Sequence, residues 1–208
     1  MQQVSAIEAL ERLRDGNQRF VSSQANGHMD PARRAALVDG QEPFAIILGC
    51  SDSRVPAELI FDQGFGDLFV IRVAGNIVAP SQVGSVEFAA SQYGTRLVVV
   101  MGHTQCGAVT ATLDELLGRA TTESRNLRSI VDRVRPSVQT VLASCGTDDH
   151  PTLLRASVRA NVRASAGHLR HGSALLEQLI LHNGLLVVGA EYSLETGTVD
   201  FFEGVPSR

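Results

Sequence analysis

The apolar positions of this chain change their period along its length. At the start, "AIEALERLRDGNQRFV" places Ile7, Leu10, Leu13 and Phe20 at roughly helical spacing, with Gly16 weakening the second half. The polar stretch "SSQANGHMDPARRAALVDGQEP" follows, with turn residues at both ends and a short helical pattern around Arg33 to Leu37. It reads as a connector that leaves the first helix as an arm outside the main body. Beyond Pro43 come short, near-continuous apolar runs rich in β-branched residues: "FAIILG", "LFVIRVA", "RLVVVMG" and "LLVVGAEY". Runs of this kind suit strands covered on both faces. Between them lie helical patterns at Pro56 to Phe61, Gly84 to Tyr93 and Ala108 to Leu117, and longer ones at Ser124 to Ala143 and Thr152 to Leu181.

Strands alternating with helices imply an α/β fold, with a mainly parallel central sheet flanked by helices. The tail "LLVVGAEYSLETGTVDFFE" departs from that pattern, because "LETG" between two alternating runs suggests a hairpin and an antiparallel edge strand. With 208 residues, 44% of them hydrophobic, the chain fits one domain: residues 1–40 form the N-terminal helical arm and connector, and 41–208 the core. A formal charge of -4 gives no electrostatic reason to expect nucleic acid or an anionic membrane as partner. The N-terminus lacks the apolar run of a signal peptide, and no stretch is long and apolar enough to span a bilayer. Three cysteines do not resemble a disulfide framework, so a reducing, cytoplasmic setting is expected.

Chemistry concentrates at two strand ends. In open parallel sheets, binding sites gather outside the carboxyl ends of the strands. "AIILGCSDSR" delivers Cys50 and Asp52 there, and "LVVVMGHTQC" delivers His103 and Cys106. Thiolate, imidazole and carboxylate are the common zinc ligands, and these four residues would complete a tetrahedral set. Two thiolates and a carboxylate leave such a site net negative, which makes Arg54 a natural partner for Asp52. Were Asp52 to turn toward Arg54, the metal would keep an open position of the catalytic type. Asp52 could also cap the helix that follows. Cys145 has no ligand partner in its surroundings and reads as a small buried hydrophobe. His28, His150, His168, His171 and His182 read as surface residues.

"CSDSR" followed some fifty residues later by "GHTQCGAV" resembles the paired signatures of the β-class carbonic anhydrases, zinc enzymes that interconvert carbon dioxide and bicarbonate. "ALERLRDGNQRF", "AELIFDQGFGDLFVIRVAGN" and "GSVEFA" are similar to further segments of that family, so the likeness covers nearly the whole chain. The resemblance implies one zinc ion per subunit on Cys50, His103 and Cys106, with Asp52 as fourth ligand or, paired with Arg54, as the residue that orients zinc-bound hydroxide for attack on carbon dioxide. It assigns Gln41 to a hydrogen bond with substrate across a dimer interface. Phe69, Ala74 and Phe88 fall at positions of an apolar carbon dioxide pocket, and Gly107 belongs to the substrate site. Where some members have Val and Tyr, this chain has Ala74 and Phe88.

Some members also hold an inhibitory bicarbonate on a Trp, an Arg and a Tyr. Here those positions carry Ile47, Arg72 and Val188, so no cooperative inhibition through that site is expected, and Arg72 is free to serve as a structural charge. The N-terminal helix has an apolar stripe that a neighbouring copy could cover, and the resemblance implies a homodimer or a tetramer made by pairing edges. Two other functions compete: hydrolysis of carbonyl sulfide or carbon disulfide on the same fold, and a structural zinc site in a binding protein without activity. Thiol redox chemistry is disfavoured, since Cys50 and Cys106 lie on different strands and form no C-x-x-C motif.

Overall fold

The computed structural model describes residues 4–26 and 30–207. Its helices are α1 (Ala6–Val21), α2 (Pro31–Ala36), α3 (Ala57–Ile60), α4 (Pro80–Gln92), α5 (Gly107–Leu116), α6 (Arg125–Ser144), α7 (His150–His171) and α8 (Ala174–His182). The strands are β1 (Ala45–Gly49), β2 (Leu68–Arg72), β3 (Leu97–His103), β4 (Leu186–Tyr192) and β5 (Val199–Glu203), and a 3-10 turn occupies Ala74–Asn76. The sheet runs in the order β2-β1-β3-β4-β5. Its first four strands are parallel, and β5 returns antiparallel to β4. The alternating αβ pattern and the "LETG" hairpin of the sequence are therefore both present.

Each strand of the sheet's middle is buried on both sides, as its near-continuous apolar run requires. Ala45 and Ile47 of β1, with Val99 and Met101 of β3, pack against Ala9, Leu10 and Leu13 of α1 and Ile60 of α3. Ile46 and Leu48, with Val98 and Val100, face Val86 and Ala89 of α4, Val162 and Leu169 of α7 and Leu176 of α8. A third cluster closes the sheet's carboxyl end, where Val109 and Leu113 of α5 meet Val134 and Val138 of α6 and Val158 of α7.

Glycines decide how closely two helices approach. A Cβ at Gly16 would lie 1.8 Å from the Phe61 carbonyl oxygen, so only glycine lets α1 settle onto the α3 turn, and the residue that weakens the helix on paper is what docks it. Cβ atoms at Gly102 and Gly189 would come within 2.6 and 2.8 Å of Val162, so their absence lets α7 lie against β3 and β4.

Two expectations change. Leu10 and Leu13 of the N-terminal helix's stripe are covered by the chain's own sheet rather than left for a neighbour, while Ile7 stays half exposed. Leu10 and Leu13 are fully buried, worth about 1.5–3 kcal/mol each by transfer. Asn17 fastens the helix further: its side-chain amide donates to the carbonyls of Ile60 (3.2 Å) and Gly197 (2.9 Å), and its oxygen accepts from the Val199 N–H (2.9 Å). Arg19 adds an ion pair to buried Asp62 at 2.6 Å. The second change concerns the single helical pattern from Thr152 to Leu181, which is two helices. Gly172 ends α7, and Ser173 starts α8 by accepting from the Leu176 N–H (3.2 Å) while donating to Glu87 (2.5 Å).

Candidate metal centre and its surroundings

Adjacent strands in the sheet bring together residues some fifty positions apart. β1 pairs with β3 so that Gly49 lies opposite Met101, which sets Cys50 just past one strand end and His103 at the other. The chain then turns through Gln105, at φ 56°, and places Cys106 at the N-cap of α5. The Cys50 Sγ, a ring nitrogen of His103 and the Cys106 Sγ lie within 4.8 Å of one another, and all three residues are buried. Among the described residues this is the one such group of His, Cys, Asp or Glu side chains.

His103 shows what the cluster is shaped for. Its Nδ1 lies 2.9 Å from the Thr104 carbonyl oxygen, which can only accept, so Nδ1 carries the proton and Nε2 presents a lone pair. Nε2 is buried and has no hydrogen-bond partner. An orphaned acceptor of this kind, facing two sulfurs, fits a metal ion, and the mixed thiolate and imidazole set suits a tetrahedral one.

The sulfurs are electrostatically unequal. Cys50 is pulled well below the ordinary thiol range, first by the Cys106 thiol donating to it, against the opposing effect of burial, with help from the backbone N–H groups of Asp52 and Gly75. The Gly75 N–H stands 3.3 Å from Cys50 Sγ. Cys106 is pushed up because it gives its proton to that contact and because it is buried, although the N–H groups of Ala108 and Val109 at the start of α5 favour its thiolate.

Asp52 stands beside this cluster with its oxygens turned to Arg54. Its Oδ1 accepts from Arg54 Nε at 2.9 Å and from the Arg54 backbone N–H at 3.0 Å, and Oδ2 accepts from a terminal guanidinium nitrogen at 2.7 Å. The guanidinium holds the carboxyl well below the usual carboxylate range. Asp52 Oδ2 remains 3.8 Å from His103 Nε2, close to the ligand atoms without joining them. Arg72 braces the same loop, donating to the carbonyls of Cys50 (3.0 Å) and Asp52, which is the structural role open to it at a strand's end.

A family model described as "Carbonic anhydrase" matches residues 45–199, a span that contains the four parallel strands and all three clustered side chains. The chain belongs to the carbonic anhydrase family. Among curated relatives, carbonic anhydrase 2 of Mycobacterium tuberculosis is 36% identical over 198 residues, covering 95% of this chain and 93% of that protein. The carbonic anhydrase of Mycolicibacterium smegmatis is 36% identical over 195 residues, covering 93% and 92%. Among solved structures, the β-carbonic anhydrase CafA of Aspergillus fumigatus superposes with a TM-score of 0.76 at 25% identity, covering 92% of this chain and 89% of that one. The β-carbonic anhydrase CcaA superposes with 0.72 at 27% identity, covering 96% and 93%. This chain is accordingly a β-class carbonic anhydrase.

The remaining sequence candidates fall into two places. Ala74 and Gly107 lie at the cluster, Ala74 beside the Gly75 that donates to Cys50 and Gly107 directly after Cys106, where a Cβ would meet nothing within 4 Å. Gln41, Phe69 and Phe88 gather elsewhere. Phe69 pairs with Ile46, four residues and about 13 Å before Cys50 along the strand direction. Its ring meets those of Phe88 and Tyr93 at centroid distances of 6.3 and 6.1 Å, and Gln41 donates to the Tyr93 hydroxyl at 3.1 Å. Around them Val38, Phe88 and Phe65 are 81%, 51% and 43% exposed. Tyr93 and Gly75 were not legible as site residues: neither a lone Tyr after a helix nor a backbone N–H leaves a pattern in sequence. Cys145 stands apart from the cluster, half-buried, and His168, His171 and His182 are exposed. His150 is half-buried and bonds Asp114 at 2.9 Å, while His28 lies outside the described residues.

Proposed function

We propose that this carbonic anhydrase hydrates carbon dioxide at one zinc ion per subunit held by Cys50, His103 and Cys106, with Asp52 and Arg54 as its catalytic pair. One observation carries the reading: both Asp52 oxygens are engaged by Arg54 while Nε2 of His103 stands orphaned 3.8 Å away. Three donors are thus presented without the carboxylate, the arrangement of a catalytic rather than a closed structural site. Zinc in that position would supply the Lewis acidity that makes hydroxide available near neutral pH. Asp52, kept anionic by Arg54, accepts a hydrogen bond from the attacking oxygen and fixes which lone pair faces carbon dioxide. Arg54 keeps the carboxylate turned outward and offsets the charge of two thiolates, which would otherwise make water harder to ionise. Ala74 precedes the Gly75 that donates to Cys50, and bare Gly107 leaves room at the start of α5 for the anionic product.

The exposed Gln41, Phe65, Phe88 and Tyr93 face supports an assembly of at least two copies. A partner covering this apolar surface would bring its own Gln41 toward the substrate, as residues on a chain's far side cannot reach their own cluster.

Asp52→Asn and Arg54→Ala test the pair. Both variants are expected to keep zinc, measured by elemental analysis, while stopped-flow hydration falls roughly 10²–10³-fold, the cost typical of removing a preorganised polar group. Undiminished hydration in both would dismiss the pair. Zinc with no hydration by the unaltered protein at any pH would favour a structural ion, and faster sulfide release from carbonyl sulfide would reassign the substrate.

A further inference from the structure

The buried face of α7 carries a polar stripe, Ser157, Asn161 and Ser165, at i, i+4 and i+8. Polar side chains there need a reason, since each costs desolvation unless it is bonded. For two of them the partner is the turn beside the cluster. Asn161, 1% exposed, donates through Nδ2 to the Gly75 carbonyl at 2.8 Å, and Ser165 Oγ donates to the Asn76 carbonyl at 3.0 Å. That turn runs through left-handed backbone, at Gly75 (φ 71°), where glycine adopts it freely, and at Asn76 (φ 42°), which is not glycine. Left-handed backbone in a non-glycine residue persists where its surroundings hold it. The other end of the same residue does the chemistry, since the Gly75 N–H is the donor to Cys50 Sγ. α7 is able to reach the turn because Gly102 and Gly189 let it lie against the sheet.

We infer that Asn161, seconded by Ser165, is a positioning residue for the metal centre: it clamps the 74–76 turn so that the Gly75 N–H stays on Cys50 Sγ and moderates that thiolate as a metal donor. The inference rests on Cys50 being a ligand, as proposed above. A thiolate relieved of its N–H donor gives more charge to the metal. More donated charge makes bound water less acidic, and groups that orient ligands typically alter metal affinity 10–100-fold when removed. Ser157, on the same buried face with no hydrogen-bond partner for its hydroxyl, stands outside the clamp and serves as the control for disturbance of α7 itself.

The test uses the full chain loaded with cobalt(II) in place of zinc, so that the thiolate-to-metal charge-transfer band reads donor strength independently of activity. Asn161→Ala is expected to move that band to longer wavelength, to lower zinc affinity roughly tenfold or more, and to shift the midpoint of the zinc enzyme's pH profile upward. Ser165→Ala should give a smaller shift of the same sign, and Ser157→Ala none. An unmoved band in folded Asn161→Ala, or an equal shift in Ser157→Ala, overturns the inference. Should Asn161→Ala not fold, Ser165→Ala decides: a red shift upholds the clamp and an unmoved band rejects it. If the unaltered protein shows no such band, or Cys50→Ser leaves its intensity undiminished although Cys106 is then the one remaining thiolate, the ligand assignment fails and the clamp with it. A normal band in the unaltered protein that Asn161→Ala leaves in place rejects the clamp alone.

Discussion

The corner holding Cys50, His103 and Cys106 and the face holding Gln41, Phe88 and Tyr93 are built in opposite ways. The corner is buried, and its backbone and side chains are held from several directions: by Arg72 under the loop, by Gly75 on Cys50 and by Thr104 on His103. The face is half-finished, with aromatic rings touching one another yet open to solvent, and a short helix, α2, that buries none of its residues. Burial fixes ligand geometry before an ion arrives, which a metal centre requires. An exposed apolar face with a polar side chain at its rim suits contact with another molecule. One chain supplies all the side chains of the first region and leaves the second open to solvent.

The sharpest way to break this contrast is to remove a ligand. Cys106→Ser is expected to reduce bound zinc by elemental analysis and to bring hydration to background, while far-ultraviolet circular dichroism stays native because the surrounding cluster of Val109, Leu113 and Val134 remains. The second prediction concerns the open face. Phe88→Asp places a charge where a partner would close, and should weaken self-association by about 2 kcal/mol or more, roughly 30-fold in dissociation constant, by analytical ultracentrifugation. Zinc content should stay at the unaltered level, since the three clustered side chains all come from one chain. A monomeric starting protein would remove the argument for a partner altogether.

The third prediction separates α1 from that face. Leu13→Ala should cost about 2–5 kcal/mol in denaturant unfolding, because Leu13 is fully buried on the chain's own sheet. If α1 were instead held by a neighbour, the loss would vary with protein concentration. The smallest effect is the pH dependence of the Asp52–Arg54 pair. Its carboxyl is depressed in the folded state, so its stabilising contribution is complete above the ordinary carboxylate pKa of about 4 and disappears as pH falls through the lower folded value. The stability difference between the unaltered protein and Asp52→Asn should stay flat from about pH 8 to 5 and shrink only below about pH 4. A difference that already declines near pH 6 would show that Arg54 does not hold the carboxylate as described.

Much of the fold was readable because local rules and tertiary packing agree. Apolar β-branched runs at residues 44–49 and 96–102 became central strands, and "LETG" became the hairpin before the antiparallel edge. Where packing overrode the local pattern, reading failed. Gly16 looks like a flaw in a helix until Phe61 is placed against it, and the pattern from Thr152 to Leu181 conceals a break that a half-buried Ser173–Glu87 contact stabilises. The site divides in the same way. Cys50, Asp52, Arg54, His103 and Cys106 were recognisable as candidates because ligand-type side chains at two strand ends are rare in combination. Gly75 and Asn161 were not, since one acts through a backbone N–H and the other through a carbonyl 86 residues away in the chain.

By itself, then, the sequence determined the alternation of strands and helices and which metal-capable side chains sit at which strand ends, because hydrophobic period and side-chain chemistry are local properties. Three things were decided only by tertiary structure. Asp52 faces Arg54 with both oxygens, α1 lies on its own sheet, and Gln41 and Phe88 share a face away from the metal corner. Each depends on distances between residues far apart in the chain, and those are set by which strands pair and how closely glycine lets a helix approach.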